Sequence, residues 1–94
     1  MDLHFEWDAD KARLNLTKHG VSFDEAVAAF SDQLGRVLDD KRHSRSERLD
    51  VLMALSLRSR LLVVMFTVRE TALRLISARL ATRAERIRYD EANP

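Results

Sequence analysis

Arginine is concentrated in one part of this sequence. Eight arginines lie between Arg58 and Arg88, where the only carboxylates are Glu70 and Glu85, so this segment has a net charge of about +6. The first 57 residues have the opposite sign, with 8 lysines and arginines against 11 aspartates and glutamates. The planar guanidinium group suits bidentate contact with phosphate or carboxylate better than lysine does. The segment therefore suits anion recognition, although a solvated basic surface explains the charge equally well.

Few side chains are available for proton exchange near neutral pH. Lys18 and His19 come directly before Gly20, where a predicted helix ends. Cations at that position complement the helix dipole, so a structural role is sufficient for both. His43 and Glu47 lie in or beside a strongly polar segment. The histidines and aspartates have no spacing typical of a metal site, and we predict neither a metal nor a cofactor.

The composition indicates one intracellular domain. A chain of 94 residues is long enough for one hydrophobic core and too short for two. It has no cysteine, which excludes disulfides and thiolate metal sites. No apolar run approaches the roughly 18 residues that span a bilayer, and the charged N-terminal segment does not resemble a signal peptide. These features predict a cytoplasmic protein with no membrane contact.

The elements that must position these side chains are organised around residues 61–66, LLVVMF. An apolar run rich in β-branched residues predicts a central strand buried on both faces. Strict alternation over residues 49–57 predicts the preceding strand, and residues 58–60 are short enough to form a hairpin. Residues 69–71 predict a second hairpin into a strand over residues 73–77. With a strand end at residues 37–38, the pattern predicts a four-stranded antiparallel meander.

Capping patterns predict three helices. The first follows a short strand stub at residues 5–7 and ends at Gly20, the second carries an apolar stripe that begins at Phe23, and the third continues through Tyr89. Their N-terminal signals are Asp8, the capping box Ser22 with Glu25, and the capping box Thr82 with Glu85. The predicted order is α-α-β-β-β-β-α, in the α+β class.

Two groups of residues resemble a known family. The first consists of residues 5–8 (FEWD), Lys11, Asn15, residues 18–23 (KHGVSF) and residues 25–26. The second consists of residues 60–64 (RLLVV), 66–67 (FT), 76–79 (ISAR), 81–82 (AT) and 85–86 (ER), with Tyr89. In order and spacing both groups are similar to the BrnT toxins. Members of that family are ribonuclease toxins of type II toxin–antitoxin pairs, with a RelE-like fold and an antitoxin that also binds operator DNA.

The resemblance implies one BrnT-like domain over residues 1–94 that cleaves RNA without a metal ion and arrests translation and growth. Such cleavage needs a base for the 2′-hydroxyl, cations for the phosphate and an acid for the leaving oxygen. Polar residues inside the matched motifs are the candidates. Arg48 and Arg79 would clamp the phosphate, His19, His43 or Glu47 would exchange the proton, Lys18 would add charge, and Arg69, Arg74, Arg83 and Arg86 would bind RNA. A salt bridge to Glu85 or Glu47 is the structural alternative for Arg79.

The resemblance also implies a partner, a BrnA-like antitoxin with a ribbon-helix-helix DNA-binding domain. We expect it to cover the Arg48/Arg79 face in a complex of two toxins and two antitoxins, in which only the antitoxin contacts operator DNA. The alternatives are a non-catalytic nucleic-acid-binding or adaptor module that uses the same arginines, and a degenerate toxin. The degenerate toxin is suggested by the departures from the family pattern around Met53, within residues 52–55.

Overall fold

The fold is α+β, with three helices on a five-stranded mixed sheet. A computed structural model describes residues 4–40 and 49–92. The strand order across the sheet is β1-β5-β4-β3-β2. Along the chain, the elements are β1 (His4–Glu6), α1 (Ala9–His19), α2 (Phe23–Ala29), β2 (Arg36–Asp40), β3 (Leu49–Leu55), β4 (Leu61–Arg69), β5 (Ala72–Leu80) and α3 (Arg83–Ala92). No helix within the described residues is long and apolar enough to cross a membrane.

The predicted meander is present, but the sheet is larger than the sequence indicated. Strands β2 to β5 pair antiparallel in chain order, and β4 lies at the centre as predicted. The prediction of a four-stranded sheet after two N-terminal helices is wrong, because residues 4–6 form a fifth strand. This strand, β1, pairs in parallel with β5, with Glu6 opposite Arg74. A strand of three residues is too short to show a period of two, and its partner lies far along the chain.

The sheet buries apolar side chains on both faces. On the α1/α2 face, Phe23 of α2 belongs to a core cluster with Val64 of β4. On the opposite face, which we call the α3 face, Tyr89 of α3 clusters with Val63. The neighbours Val63 and Val64 point to opposite faces and are only 5% and 0% exposed. The central strand is therefore buried on both sides, as the run at residues 61–66 predicts.

A β-bulge in β5 decides which side chains share the α3 face. Met65 pairs with Ser77 whereas Phe66 pairs with Leu75, so Ile76 is the extra residue. Side chains alternate between faces, and two residues an odd number apart on a regular strand point in opposite directions. Because of the bulge, Arg74 and Arg79 both lie on the α3 face.

A buried amide fixes α1 against the edge of β5 that β1 leaves unpaired. The Oδ1 atom of Asn15 accepts a hydrogen bond from the backbone N–H of Ala78 at 3.1 Å, and its Nδ2 group donates to the Ala78 carbonyl at 2.7 Å. The same Nδ2 group donates to the carbonyl of Val21 at 2.9 Å. The Asn15 side chain thus makes the two hydrogen bonds to Ala78 that a residue of a neighbouring strand would make. It also fixes the turn between α1 and α2.

The predicted helix caps are confirmed, with one correction. Asp8 and Ser22 accept hydrogen bonds from the N–H groups of Lys11 and Glu25, and Gly20 ends α1 in the left-handed conformation. Thr82 and Glu85 form the predicted reciprocal capping box. Glu25 does not return to Ser22, because its buried carboxylate binds other partners.

Candidate active site

Arg79 is the predicted site residue with the best-defined surroundings. Its Nη1 and Nη2 groups donate to the two carboxylate oxygens of Glu85 at 2.8 and 2.9 Å, and Nη1 also donates to the Leu80 carbonyl at 3.2 Å. The Glu85 carboxylate accepts a further bond from the N–H of Thr82 at 2.8 Å. The guanidinium is therefore fixed in place by the first turn of α3.

This ion pair affects the charge state of both partners. The hydrogen bonds from Arg79 lower the pKa of Glu85 to about 2, although burial opposes the shift. The bond to Glu85 raises the pKa of Arg79. The Arg79 side chain remains 40% exposed, and its Nε–H group makes no hydrogen bond to a described residue. Arg79 is thus both a salt-bridge partner, as the structural alternative predicted, and a partly open, permanently charged donor.

The structure does not bring Lys18 and His19 into contact with Arg79. Both lie in the last turn of α1, where Lys18 is exposed and His19 is half-buried. Helix α1 packs on β5 through Asn15 and Ala78, the residue before Arg79, but Arg79 points to the α3 face. Neither the Lys18 nor the His19 side chain forms a hydrogen bond or ion pair with another described residue.

The remaining predicted catalytic residues, His43, Glu47 and Arg48, lie outside the residues that the structure describes. Their segment begins after Asp40 and ends before Leu49, whose backbones pair at the edge of the sheet. Met53, Val63 and Arg79 form one row across the sheet, and Leu49 lies four residues along β3 from Met53. The base of this segment is therefore about 13 Å along the sheet from the Arg79 row.

The four arginines predicted to bind RNA separate into two groups. Arg83 and Arg86 are exposed on α3. Arg69 and Arg74 lie at the other end of the β4–β5 hairpin. They line a cleft of about 340 Å³, which we call the basic cleft, together with Glu6, Lys11, Thr67, Ala72 and Ile76. Lys11 was not predicted as a site residue, because it joins the cleft only through the fold.

A groove lies beside the Arg79–Glu85 pair on the α3 face. Its volume is about 560 Å³, and it separates α3 from strands β2 to β4. The groove has an apolar floor and an ionic rim of balanced charge. The floor consists of Leu38, Val51, Met53 and Val63, and the rim of Arg36, Glu85, Arg88 and Glu91. Since these side chains come from β2, β3, β4 and α3, α3 crosses the sheet toward β2 and away from β1.

Two hydrogen-bond networks include residues of the matched motifs and have a structural role. Glu25 accepts hydrogen bonds from Ser56 and Arg60, and Arg60 also donates to the Gly20 carbonyl at 3.0 Å. The hydrogen bonds from Arg60 are the main cause of the lowered pKa of Glu25. This network ties the β3–β4 hairpin to the turn that follows His19.

The second network joins α3 to the loop after α2. The Tyr89 hydroxyl donates to Asp32 Oδ2 at 2.7 Å, and the same oxygen accepts from the Leu55 N–H at 2.8 Å. Burial, followed by the contact with Asp32, raises the pKa of Tyr89 to about 12. Burial raises the pKa of Asp32, but these hydrogen bonds and one from Leu34 outweigh it, so the pKa lies below its ordinary value. The network fixes α3 and hence Glu85.

No group of three or more histidine, cysteine or acidic residues within the described part of the chain could hold a metal ion. The chemistry that these residues offer is charge stabilisation by Arg79 and by the exposed arginines of α3.

Comparison with known proteins identifies relatives. The sequence matches the family described as "Ribonuclease toxin, BrnT, of type II toxin-antitoxin system" over residues 7–85. Among solved structures, the chain is similar to the ribonuclease toxin BrnT of Brucella abortus, with a TM-score of 0.66 and 21% sequence identity. That alignment covers 86% of this chain and 99% of the Brucella chain, and at this identity it establishes the fold. Comparison with curated proteins finds no significant match.

Proposed function

Because the chain belongs to the BrnT family of ribonuclease toxins from type II toxin–antitoxin systems, we propose that it is an endoribonuclease that cleaves RNA without a metal ion. Cleavage of cytoplasmic RNA would arrest translation and growth until an antitoxin binds. The observation that carries the proposal is Arg79, a family-motif residue that is held rigidly and remains partly exposed on an open face of the sheet.

In this proposal Arg79 holds the scissile phosphate as negative charge develops. Fixed guanidinium donors stabilise such charge without reorganising, and the Glu85 pair supplies that rigidity. The phosphate would bind to the open side of the guanidinium while Glu85 retains the other side. Glu85 is thus a positioning residue, because it touches Arg79 and not the reacting atoms.

The proton-transfer roles are proposals that rest on the family resemblance. Arg48 would be a second phosphate ligand, and His43 or Glu47 would exchange the proton with the 2′-hydroxyl or the leaving oxygen. His19 is the third candidate, with Lys18 adding positive charge, but both lie on α1. Because Arg79 points away from the α1/α2 face, His43 and Glu47 are the better candidates for a site on the α3 face.

The antitoxin partner follows from the type of system. We propose a BrnA-like antitoxin with a ribbon-helix-helix domain that covers the α3 face and removes Arg79 from solvent. Ribbon-helix-helix proteins dimerise on operator DNA, so each assembly would contain two toxins and two antitoxins. Light scattering of the co-expressed complex measures this stoichiometry.

Induction of the chain in cells tests the proposal, with a matched pair of variants. Arg79→Ala removes both the ion pair and the cation, whereas Glu85→Gln removes only the ion pair. We expect wild type to arrest growth and fragment cellular RNA, Glu85→Gln to do both more weakly because it keeps the cation but loses the ion pair that fixes it, and Arg79→Ala to do neither. Co-expressed antitoxin should restore growth. Equal toxicity of Arg79→Ala would exclude Arg79 as the phosphate ligand.

The alternative function is a nucleic-acid-binding module without chemistry. It is favoured by one observation, that Arg79 is already paired with Glu85 while separate cations line the basic cleft. In such a module each lost arginine weakens binding and reduces its salt dependence, and no single variant abolishes an activity. Tight operator binding by this chain alone would favour this alternative.

A further inference from the structure

The α3 face has a second cationic site away from Arg79. The basic cleft brings together Lys11 of α1, Arg69 of β4 and Arg74 of β5, and among the described residues Glu6 is the one carboxylate that lines it. The nearby Asp8 carboxylate interacts electrostatically with Lys11 and Arg74. With Asp8 counted, the net charge is about +1. These residues are distant in sequence, and they meet because β1 pairs in parallel with β5 and places Glu6 opposite Arg74.

The side chains of the cleft are accessible and have donors available. Arg74 Nη1 contacts Glu6 Oε2 at 3.2 Å, and the two side chains are 45% and 41% exposed. This single contact leaves most of the Arg74 guanidinium without a described partner. Lys11 and Arg69 are exposed, and neither side chain forms an ion pair with another described residue. Three cations against two carboxylates, Glu6 and Asp8, leave an excess of positive charge that favours an anionic ligand.

The cleft and Arg79 lie along one path. The bulge at Ile76 places Arg74 and Arg79 on the same face, about 13–16 Å apart along β5. Because α3 crosses toward β2, it leaves the surface between them uncovered. Half-buried Met65, Thr67 and Ser77 form this surface. A few nucleotides of single-stranded RNA span such a distance.

We propose that the basic cleft binds backbone phosphate of single-stranded RNA a few nucleotides from the phosphate held by Arg79. The inference rests on the proposed function. Lys11, Arg69 and Arg74 contact the phosphate, and Glu6 orients Arg74 while opposing the charge of the ligand. The cleft therefore selects substrates by length and adds affinity to cleavage sites inside longer strands.

The test measures binding of a labelled single-stranded RNA of about eight nucleotides, by fluorescence anisotropy at several salt concentrations. Each nucleotide carries a 2′-O-methyl group, which removes the attacking hydroxyl and prevents cleavage. Lys11→Ala, Arg69→Ala and Arg74→Ala should each bind about fivefold more weakly at 0.1 M salt, with a salt slope smaller by about 0.7. Glu6→Gln should bind more tightly. A dinucleotide, which cannot reach the cleft, should bind all of these variants like wild type.

Arg13→Ala is the matched control. Arg13 is an exposed cation of α1 paired with Asp10, and it does not line the cleft. Its loss should leave both the affinity and the salt slope unchanged. The inference would be overturned if the three cleft variants kept the wild-type salt slope, or if Arg13→Ala lost as much RNA affinity as they do. Weaker RNA binding by Glu6→Gln would overturn it as well. Failure of the proposed function gives a different result, because the wild-type chain would then leave unmodified RNA uncut.

Discussion

Asn15 is the residue whose removal should reveal most about how this fold holds its site. Replacement by leucine keeps the side-chain size but removes hydrogen bonds of 3.1, 2.7 and 2.9 Å to Ala78 N–H, Ala78 O and Val21 O. Ala78 and Val21 are fully buried, so water does not replace the lost partners. Each of the three backbone groups left unsatisfied costs about 1–3 kcal/mol, and we take about 5 kcal/mol for the three together, in the lower part of that range. Burial of the leucine offsets about 2 kcal/mol of that total.

The expected net loss is about 3 kcal/mol of unfolding free energy, a large part of the roughly 5–15 kcal/mol of a small domain. Urea denaturation followed by circular dichroism measures it, and the midpoint should fall without a change in the m-value. Thr17→Ala, an exposed substitution on the same helix, should change stability by less than about 0.5 kcal/mol. A loss below about 1 kcal/mol for Asn15→Leu would refute the conclusion that this amide closes the edge of β5.

Two further predictions concern the α3 face. Val63→Asp should unfold the domain, because Val63 is 5% exposed and the new carboxylate would lie against Met53, Leu61 and Tyr89. Arg79, the cross-strand neighbour of Val63, is already bound to Glu85. Val68→Asp, on the exposed end of β4, should fold. A native circular dichroism spectrum of Val63→Asp would contradict the central position of β4. The Arg79–Glu85 pair should stabilise the protein above the ordinary glutamate pKa of 4.5 and lose that effect as the pH falls toward 2. At pH 7 the free energy of unfolding of wild type should exceed that of Glu85→Gln by about 1–2 kcal/mol, after allowance for the exposure of Arg79. This difference should vanish near pH 2. A difference that is independent of pH would exclude the ion pair as its cause.

Local signals in the sequence were sufficient for most of the scaffold. The apolar run at residues 61–66, rich in β-branched residues, favours a strand covered on both faces, and the burial of Val63 and Val64 confirms it. Capping residues such as Thr82 act on backbone groups a few positions away, so their effect can be predicted without the fold. The short strand at residues 5–7 was predicted, one residue out of register with β1, but its place in the sheet was not, because three residues carry no period and its partner lies about 70 positions later.

The site was less predictable, because it depends on registers and distant contacts. Regular alternation would place Arg74 and Arg79 on opposite faces, and only the bulge at Ile76 puts them on one face. Glu25 has the spacing of a capping box, yet its carboxylate accepts hydrogen bonds from Arg60 and Ser56, which are remote in sequence. The sequence likewise gives no indication that Lys11 joins the basic cleft.

Cleavage of single-stranded RNA by the purified chain is the most direct test of the central claim, that Arg79 on the α3 face supports metal-independent ribonuclease activity. The wild-type chain and Glu85→Gln should cut the RNA in the presence of EDTA, and purified antitoxin should suppress the reaction. Arg79→Ala should be slower by about 100-fold or more, the usual effect of losing one fixed donor to a developing negative charge. Cleavage by Arg79→Ala at the wild-type rate, or wild-type activity that EDTA abolishes, would contradict the claim.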